Sequence, residues 1–295
     1  MQDYQFTLGP VQSFVAQARR TRDYWAGSFL LSYLTGKAMM AALENGGRIV
    51  FPAVQNEKGE IIDPLLAAMK KDQHYPVVGS IPNRFIAQVP DGFEPKAFAE
   101  AVIMAWRELA DKIWQHYVAD TAKTFGNGSH EVWQRQINSF WEISWVLGGG
   151  ADLLDRRKNW RSYIPPEEPG DKCTLMGNWQ ELSGYIRIHE RKKQDKFWQE
   201  LASKIPGYNL HSDERLCSTA LVKRLFPLIF KGKEVIYPST PYLAAIPWLS
   251  SVSSDSQEQA KARDFAKSAN NKLMGTPFSF ESGEMDRALA KFVSL

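Results

Sequence analysis

Residues 3–8 (DYQFTL) alternate polar and apolar side chains and are rich in aromatic and β-branched types, which predicts a strand. Gly9-Pro10 ends it, and Pro10 suits the first turn of a helix, where its missing N–H costs nothing. Val11, Phe14, Val15, Ala18, Trp25 and Phe29 then share one helical face. Arg22 falls in the middle of that stripe. A buried, unpaired guanidinium is too costly, so the helix is expected either to break between Thr21 and Gly27 or to bring Arg22 to an acidic or phosphate group. Ser28 offers an N-cap for a fresh helix carrying Leu31, Leu34, Ala38 and Ala41 on one side, closed by Asn45-Gly46-Gly47.

The same reading gives a short strand at Arg48–Phe51, a helix at Pro64–Lys71 and a strand at Arg84–Val89 followed by a Pro90-Asp91-Gly92 turn. A long helix is expected from Pro95 to Thr124, with Phe98, Val102, Ala105, Leu109 and Ile113 at helical spacing. After Gly126-Asn127-Gly128 come a short helix and a strand over Phe140–Leu147. The order strand–helix–strand–strand–helix–strand is the ferredoxin-like pattern, so residues 1–150 read as an α+β domain of that type. Beyond Gly148-Gly149-Gly150 the texture changes. Residues 151–235 hold shorter apolar stretches among Pro, Gly and charged residues, and read as a second domain or large insertion. Val235–Tyr237 suits a strand, Ser250–Ser256 a linker, Gln257–Leu273 a polar helix and Glu284–Leu295 an amphipathic helix that runs to the last residue with no C-cap.

Composition narrows the class without deciding the function. The 295 residues are 44% hydrophobic and 23% charged, ordinary for a globular chain of about two domains. No apolar run approaches the ~20 residues of a membrane span, and the first residues carry no secretory signal, as in a soluble cytoplasmic protein. The net charge of +3 is small, but it is unevenly placed: residues 150–235 carry 16 Lys/Arg against 12 Asp/Glu, and the remainder 20 against 21. A basic middle third is either a solvated face or a surface for a partner that carries phosphates.

Candidate chemistry is sparse. Cys173-Thr-Leu-Met176 and Cys217-Ser-Thr-Ala220 each have the spacing of half a zinc knuckle, with Met176 and Ala220 where second thiolates would stand. Structural zinc needs four nitrogen or sulfur ligands, so Cys173 and Cys217 are either inert thiols or a degenerate, unfilled metal site, unless His189 or His211 contributes. The other histidines, His74, His116 and His130, form no ligand pair with spacing known for metal hydrolases. Gly148-Gly149-Gly150-Ala151-Asp152 offers one carboxylate where two-metal nucleotidyl transfer needs a pair. Phosphate-loop, dinucleotide and nucleophile-elbow motifs are missing from the 295 residues. The remaining cluster is Arg19, Arg20 and Arg22, beside Gly9-Pro10-Val11-Gln12. These arginines suit a nucleotide or RNA phosphate, or else pair with Asp23 and other carboxylates at a subunit or domain contact.

The run from Gly9 to Ser28 (GPVQSFVAQARRTRDYWAGS), continuing FLLSYL, resembles the opening of the large polymerase/cyclase-like subunit of type III-B (Cmr-type) CRISPR effector complexes. Further pieces resemble the family in the same order: Pro82-Asn83-Arg84-Phe85, Phe140–Trp145, Asp213–Cys217, Leu221–Phe226 and Tyr237–Thr240. The resemblance implies a palm-type domain over 1–150, a zinc-knuckle region over 151–235 and the helical start of a second palm over 236–295. It also implies, as partners, other Cmr-type subunits and a crRNA-containing complex that meets RNA. Full-length members of the family can add an HD nuclease and a G-G-D-D palm that makes cyclic oligoadenylates from ATP. Within these 295 residues neither motif occurs, and the knuckle is degenerate at Met176 and Ala220. The expectation is therefore a non-catalytic, docking portion of such a subunit, with no catalytic residues of its own and no certain cofactor. In the alternative it is half of a nucleotide site, using ATP only when a second palm completes it.

Overall fold

The computed structural model describes residues 1–71, 74–150, 152–159, 168–206 and 209–230, with Pro247, Gln257, Ala260 and Lys261 as isolated helical positions. The chain divides into two compact units, Met1–Tyr237 and Pro238–Leu295. All the elements below belong to the first. The expected strand at 235–237, the linker at 250–256 and the two C-terminal helices lie outside the described residues, isolated positions aside.

Four strands, β1 (Gln2–Gly9), β2 (Arg48–Phe51), β3 (Arg84–Val89) and β4 (Glu142–Leu147), form a sheet in the order β2-β3-β1-β4, each antiparallel to its neighbour. The fold is α+β. β1 is central, with Phe6 opposite Phe85 on one side and opposite Trp145 on the other. Its period of two sends Tyr4, Phe6 and Leu8, all fully buried, to the face that builds the core. Gln5 and Thr7 take the opposite face, where Gln5 Nε2 donates to the Gly150 carbonyl at 3.0 Å.

Helices α1 (Gln12–Ala16) and α2 (Thr21–Glu44) follow β1; α3 (Pro64–Lys71) precedes β3. After β3 come α4 (Ala97–Ile113), a π turn at Trp114–Val118, α5 (Ala119–Phe125) and α6 (Ser129–Ser139). The stretch expected as one helix to Thr124 is thus a continuous helical path interrupted by a change of winding. β4 is followed by α7 (Leu153–Asn159), α8 (Arg187–Lys204) and α9 (Ser218–Ile229).

Two sequence expectations need correction. The break in the first helix falls between Gln17 and Arg20, and Ser28 lies inside α2 as an exposed residue rather than at a cap. The charge buried in the apolar stripe is Asp23, not Arg22. Both have the same cause, which lies in α9: its side chains supply partners for Asp23 and for the carbonyls released where α1 ends.

α9 packs against α2, α4 and α6, and its buried Leu221, Val222, Leu225 and Phe226 join one hydrophobic cluster with Phe29, Leu30 and Trp106. An aromatic group closes the α2–α9 contact: Phe29–Phe230 at 4.8 Å, Phe226–Phe230 at 4.7 Å and Trp25–Phe29 at 5.2 Å between ring centroids. Residues on both sides of Gly150 therefore share a core.

Candidate functional site

The arginine-rich motif and the cysteine loops meet at one junction. α1 ends at Gln17, the chain turns through Ala18–Arg20, and α2 begins at Thr21. The segments Cys173–Leu182 and His211–Cys217 lie beside it, paired with each other through Thr174 N–H to Arg215 O (2.7 Å) and Leu182 N–H to Leu216 O (2.9 Å).

At the centre of the junction is Arg224. Its guanidinium is 1% exposed and forks onto two carboxylates: Nε and Nη2 donate to Asp23 at 2.6 and 2.9 Å, and Nη1 and Nη2 donate to Glu214 at 2.9 and 3.0 Å. Nη1 also donates to the Asn209 carbonyl at 3.0 Å. Planar bidentate geometry is what a guanidinium offers a carboxylate, and it makes a charge tolerable in a low-dielectric interior. Burial alone would raise the Glu214 carboxyl, but the hydrogen bonds and charge of Arg224 hold it below its ordinary value.

Lys223, the neighbour of Arg224, is also buried. Its ammonium donates to Phe14 O at 2.5 Å and to Gln17 O at 2.7 Å, and stands 5.0 Å from the Phe14 ring centroid. Those carbonyls are freed because α1 stops, so the lysine caps the break. Desolvation lowers its pKa to about 8, against the pull of Asp23.

The three predicted arginines face this network with different exposure. Arg20 Nη2 is 4.0 Å from Glu214, and the Arg22 guanidinium donates to Asn209 Oδ1. Arg19 is exposed; its N–H donates to Asp23 Oδ2 at 3.3 Å and its side chain to the Thr174 carbonyl at 3.3 Å. The motif's side chains thus reach the 174–214 loops.

Cys173 and Cys217 are both buried, and both lie beside Met176. Cys173 Sγ accepts N–H bonds from Leu175 (3.4 Å) and Met176 (3.2 Å), and the Cys217 thiol lies 3.8 Å from Met176 Sδ. Burial works against ionisation of both. A hydrogen bond between them, with the backbone N–H groups, holds Cys173 below its ordinary value, while burial and that neighbour push Cys217 up. The donor set does not fit zinc. Ala220 supplies no ligand, and among the described residues no group of three or more His, Cys, Asp or Glu side chains could hold a metal, so His189 and His211 do not complete a shell.

Asp152, the carboxylate after the glycine turn, forms an exposed pair with Arg156 at 2.6 Å. A cleft of about 510 Å³ opens on the other side of α1 and α2, lined by Val11, Gln12, Tyr24, Ser28, Pro82 and Asn83 among others.

Sequence reasoning missed Lys223, Arg224 and Glu214. A signal was available: Leu221–Phe226 is apolar apart from two adjacent cations, and cations inside an apolar helix require internal partners.

Residues 4–115 match the family model described as "CRISPR-associated protein Cmr2, N-terminal". Over those residues the chain is similar to the N-terminal part of Cmr2-type subunits. The matched stretch runs from β1 through α4 and includes all of the arginine motif. No curated protein matches the chain. Among solved structures, the apo state of type III-B Cmr-beta is similar at 15% identity and a TM-score of 0.48, covering 85% of this chain and 36% of that one. Type III-B Cmr-beta bound to cognate target RNA is similar at 14% identity and a TM-score of 0.44, covering 76% and 32%. The chain spans about a third of the length of these Cmr-beta chains. Among the described residues, no helix is long and apolar enough to cross a membrane.

Proposed function

We propose that this Cmr2-type chain is a non-catalytic, architectural portion of a type III-B CRISPR effector large subunit, which docks other Cmr-type subunits of a crRNA-containing complex. The observation that carries the reading is the fate of the family motif. Its carboxylate, Asp23, is fully buried on Arg224, and Arg20 and Arg22 face Glu214 and Asn209, so its charge ties parts of the fold together rather than standing open to a substrate. The strand order β2-β3-β1-β4 with antiparallel neighbours supports a ferredoxin-like, palm-type domain. The convergence of Cys173, Met176 and Cys217 supports a degenerate knuckle in the following segment. RNA contact, if it forms, would draw on the exposed Arg19 and the basic middle third.

The test combines two measurements on the full chain. It should co-purify with Cmr-type subunits, and alone it should make no oligoadenylate from ATP with Mg²⁺, Mn²⁺ or Co²⁺. Metal-dependent product from the pure chain overturns the reading.

A second reading is favoured by the cleft beside Gln12, Ser28 and Asn83, whose volume suits a small ligand. In it, the palm is half of a cyclic-oligoadenylate synthase site completed by a second palm. Activity restored by adding that second half, and lost on Arg19→Ala, would favour this reading over the architectural one.

A further inference from the structure

Helix α8 buries one side and charges the other. Gln194, Phe197, Trp198 and Leu201 are buried at the spacing of one helical face. On the opposite side Lys192, Lys196, Gln199 and Ser203 follow one another three or four residues apart, and all four are exposed. This row lies beyond the kink at Glu190 (φ −131°, ψ 36°). Over Arg187–Lys204 the sequence places six Lys/Arg against three Asp/Glu, a net of +3, equal to the net charge of the whole chain.

The acids do not cancel this charge at the surface. Arg191 pairs with Asp195 at 3.5 Å and Lys193 with Glu190 at 2.8 Å. In both pairs the cation stands outward, 72% and 64% exposed, and the carboxylate sits behind it at 30% and 34%. Lys192 and Lys196 have no carboxylate partner among the described residues; Lys196 instead lies 4.9 Å from the Phe125 ring centroid, toward α5, whose Lys123 is also exposed. Lysine is depleted where proteins meet proteins, whereas flexible point charges are well suited to a phosphate backbone. Gln199 and Ser203 continue the row with groups that hydrogen-bond phosphate oxygens.

We propose that the outer row of α8, from Lys192 to Ser203, tracks the phosphate backbone of single-stranded RNA without reading its bases. The proposal deepens the architectural reading by naming the surface that RNA meets, and rests on that reading for the choice of RNA among polyanions.

The test titrates the full chain into fluorescein-labelled single-stranded RNA, one oligouridylate and one mixed sequence, by anisotropy at a series of KCl concentrations. Similar affinity for the two sequences and a steep salt dependence are expected. Lys192→Ala combined with Lys196→Ala should lower the slope of log K against log salt by about 1.4, ~0.7 per lysine, and weaken binding about tenfold at low salt. Gln199→Lys should raise the slope by about 0.7 and tighten binding, a gain that damage to the fold cannot imitate. Lys70→Ala combined with Lys71→Ala, at the exposed end of α3, should leave binding unchanged. Undetectable or salt-insensitive RNA binding overturns the proposal, as does an equal loss in the α3 variant. So does competition by poly-glutamate as strong as that by unlabelled RNA, which would mark the row as a docking face for an acidic protein. Co-purification with Cmr-type subunits is read separately: its failure overturns the architectural reading, while RNA binding by the pure chain still decides the role of α8.

Discussion

Arg224 and Arg20 show how differently two guanidiniums can act beside the same carboxylate. Arg224 is buried and forks onto Asp23 and Glu214, whereas the Arg20 side chain is 29% exposed and only 4.0 Å from Glu214. Removing a buried partner leaves uncompensated charge; removing a long, partly solvated one removes little. Arg224→Met is therefore expected to cost about 3–5 kcal/mol of stability, because two buried carboxylates lose their cation at once. Arg20→Ala should cost under about 1 kcal/mol. Urea denaturation of the two variants checks this, and equal losses would mean that the network is not centred on Arg224. Another buried carboxylate, Glu168, is held in the same way by Arg135 at 3.0 Å and by Gln136 at 2.8 Å. Glu181 differs. It receives Trp198 Nε1 at 2.6 Å and Ser183 N–H at 3.0 Å, yet its carboxyl stays above its ordinary value because burial outweighs those bonds.

Between elements, the joint of α1, α2 and α9 is the part that charge builds. Gly27, on α2, makes room for it: a Cβ there would meet Lys223 Cε at 3.2 Å and Val15 Cα at 3.4 Å. The lysine lies across this gap to reach the carbonyls of Phe14 and Gln17. Its pKa of about 8 in the fold, against 10.5 when unperturbed, sets a sign. Between those pH values the unfolded chain binds the extra proton, so stability contributed by this group rises as pH increases through the window and is lost as pH falls through about 8. The full span is worth about 3 kcal/mol. Unfolding of the parent and of Lys223→Met, compared from pH 7.5 to 10.5, should show the rise in the parent and a flatter curve in the variant. Parallel curves would place the titration elsewhere.

At the scale of the molecule, the first unit is held together by an exchange across its middle. The sheet and α2 provide an apolar face, and α9, reached only after the 168–217 loops, covers it. Trp25, Phe29, Phe226 and Phe230 meet there, and Ser218 N–H at the start of α9 donates to Gln136 Oε1 of α6 at 2.8 Å. A chain ending at residue 150 would expose that face and leave Asp23 buried or wetted without Arg224. Such a fragment is expected to aggregate or bind a hydrophobic dye, whereas 1–237 should unfold cooperatively; a well-folded 1–150 fragment would show that α9 is dispensable. The strands, the α+β class and the family resemblance were legible along the chain, because alternation, helical spacing and turn residues act over a few neighbours. The sequence left Cys173 and Cys217 open between inert thiols and a degenerate knuckle, since spacing alone shows half a ligand set in each loop. Where the first helix breaks, why Asp23 rather than Arg22 is buried, and that α9 closes the core emerge only once distant segments pack together. Those outcomes depend on Lys223 and Arg224, about two hundred residues from their partners, and local periodicity carries no information about which distant charge will neutralise a buried one.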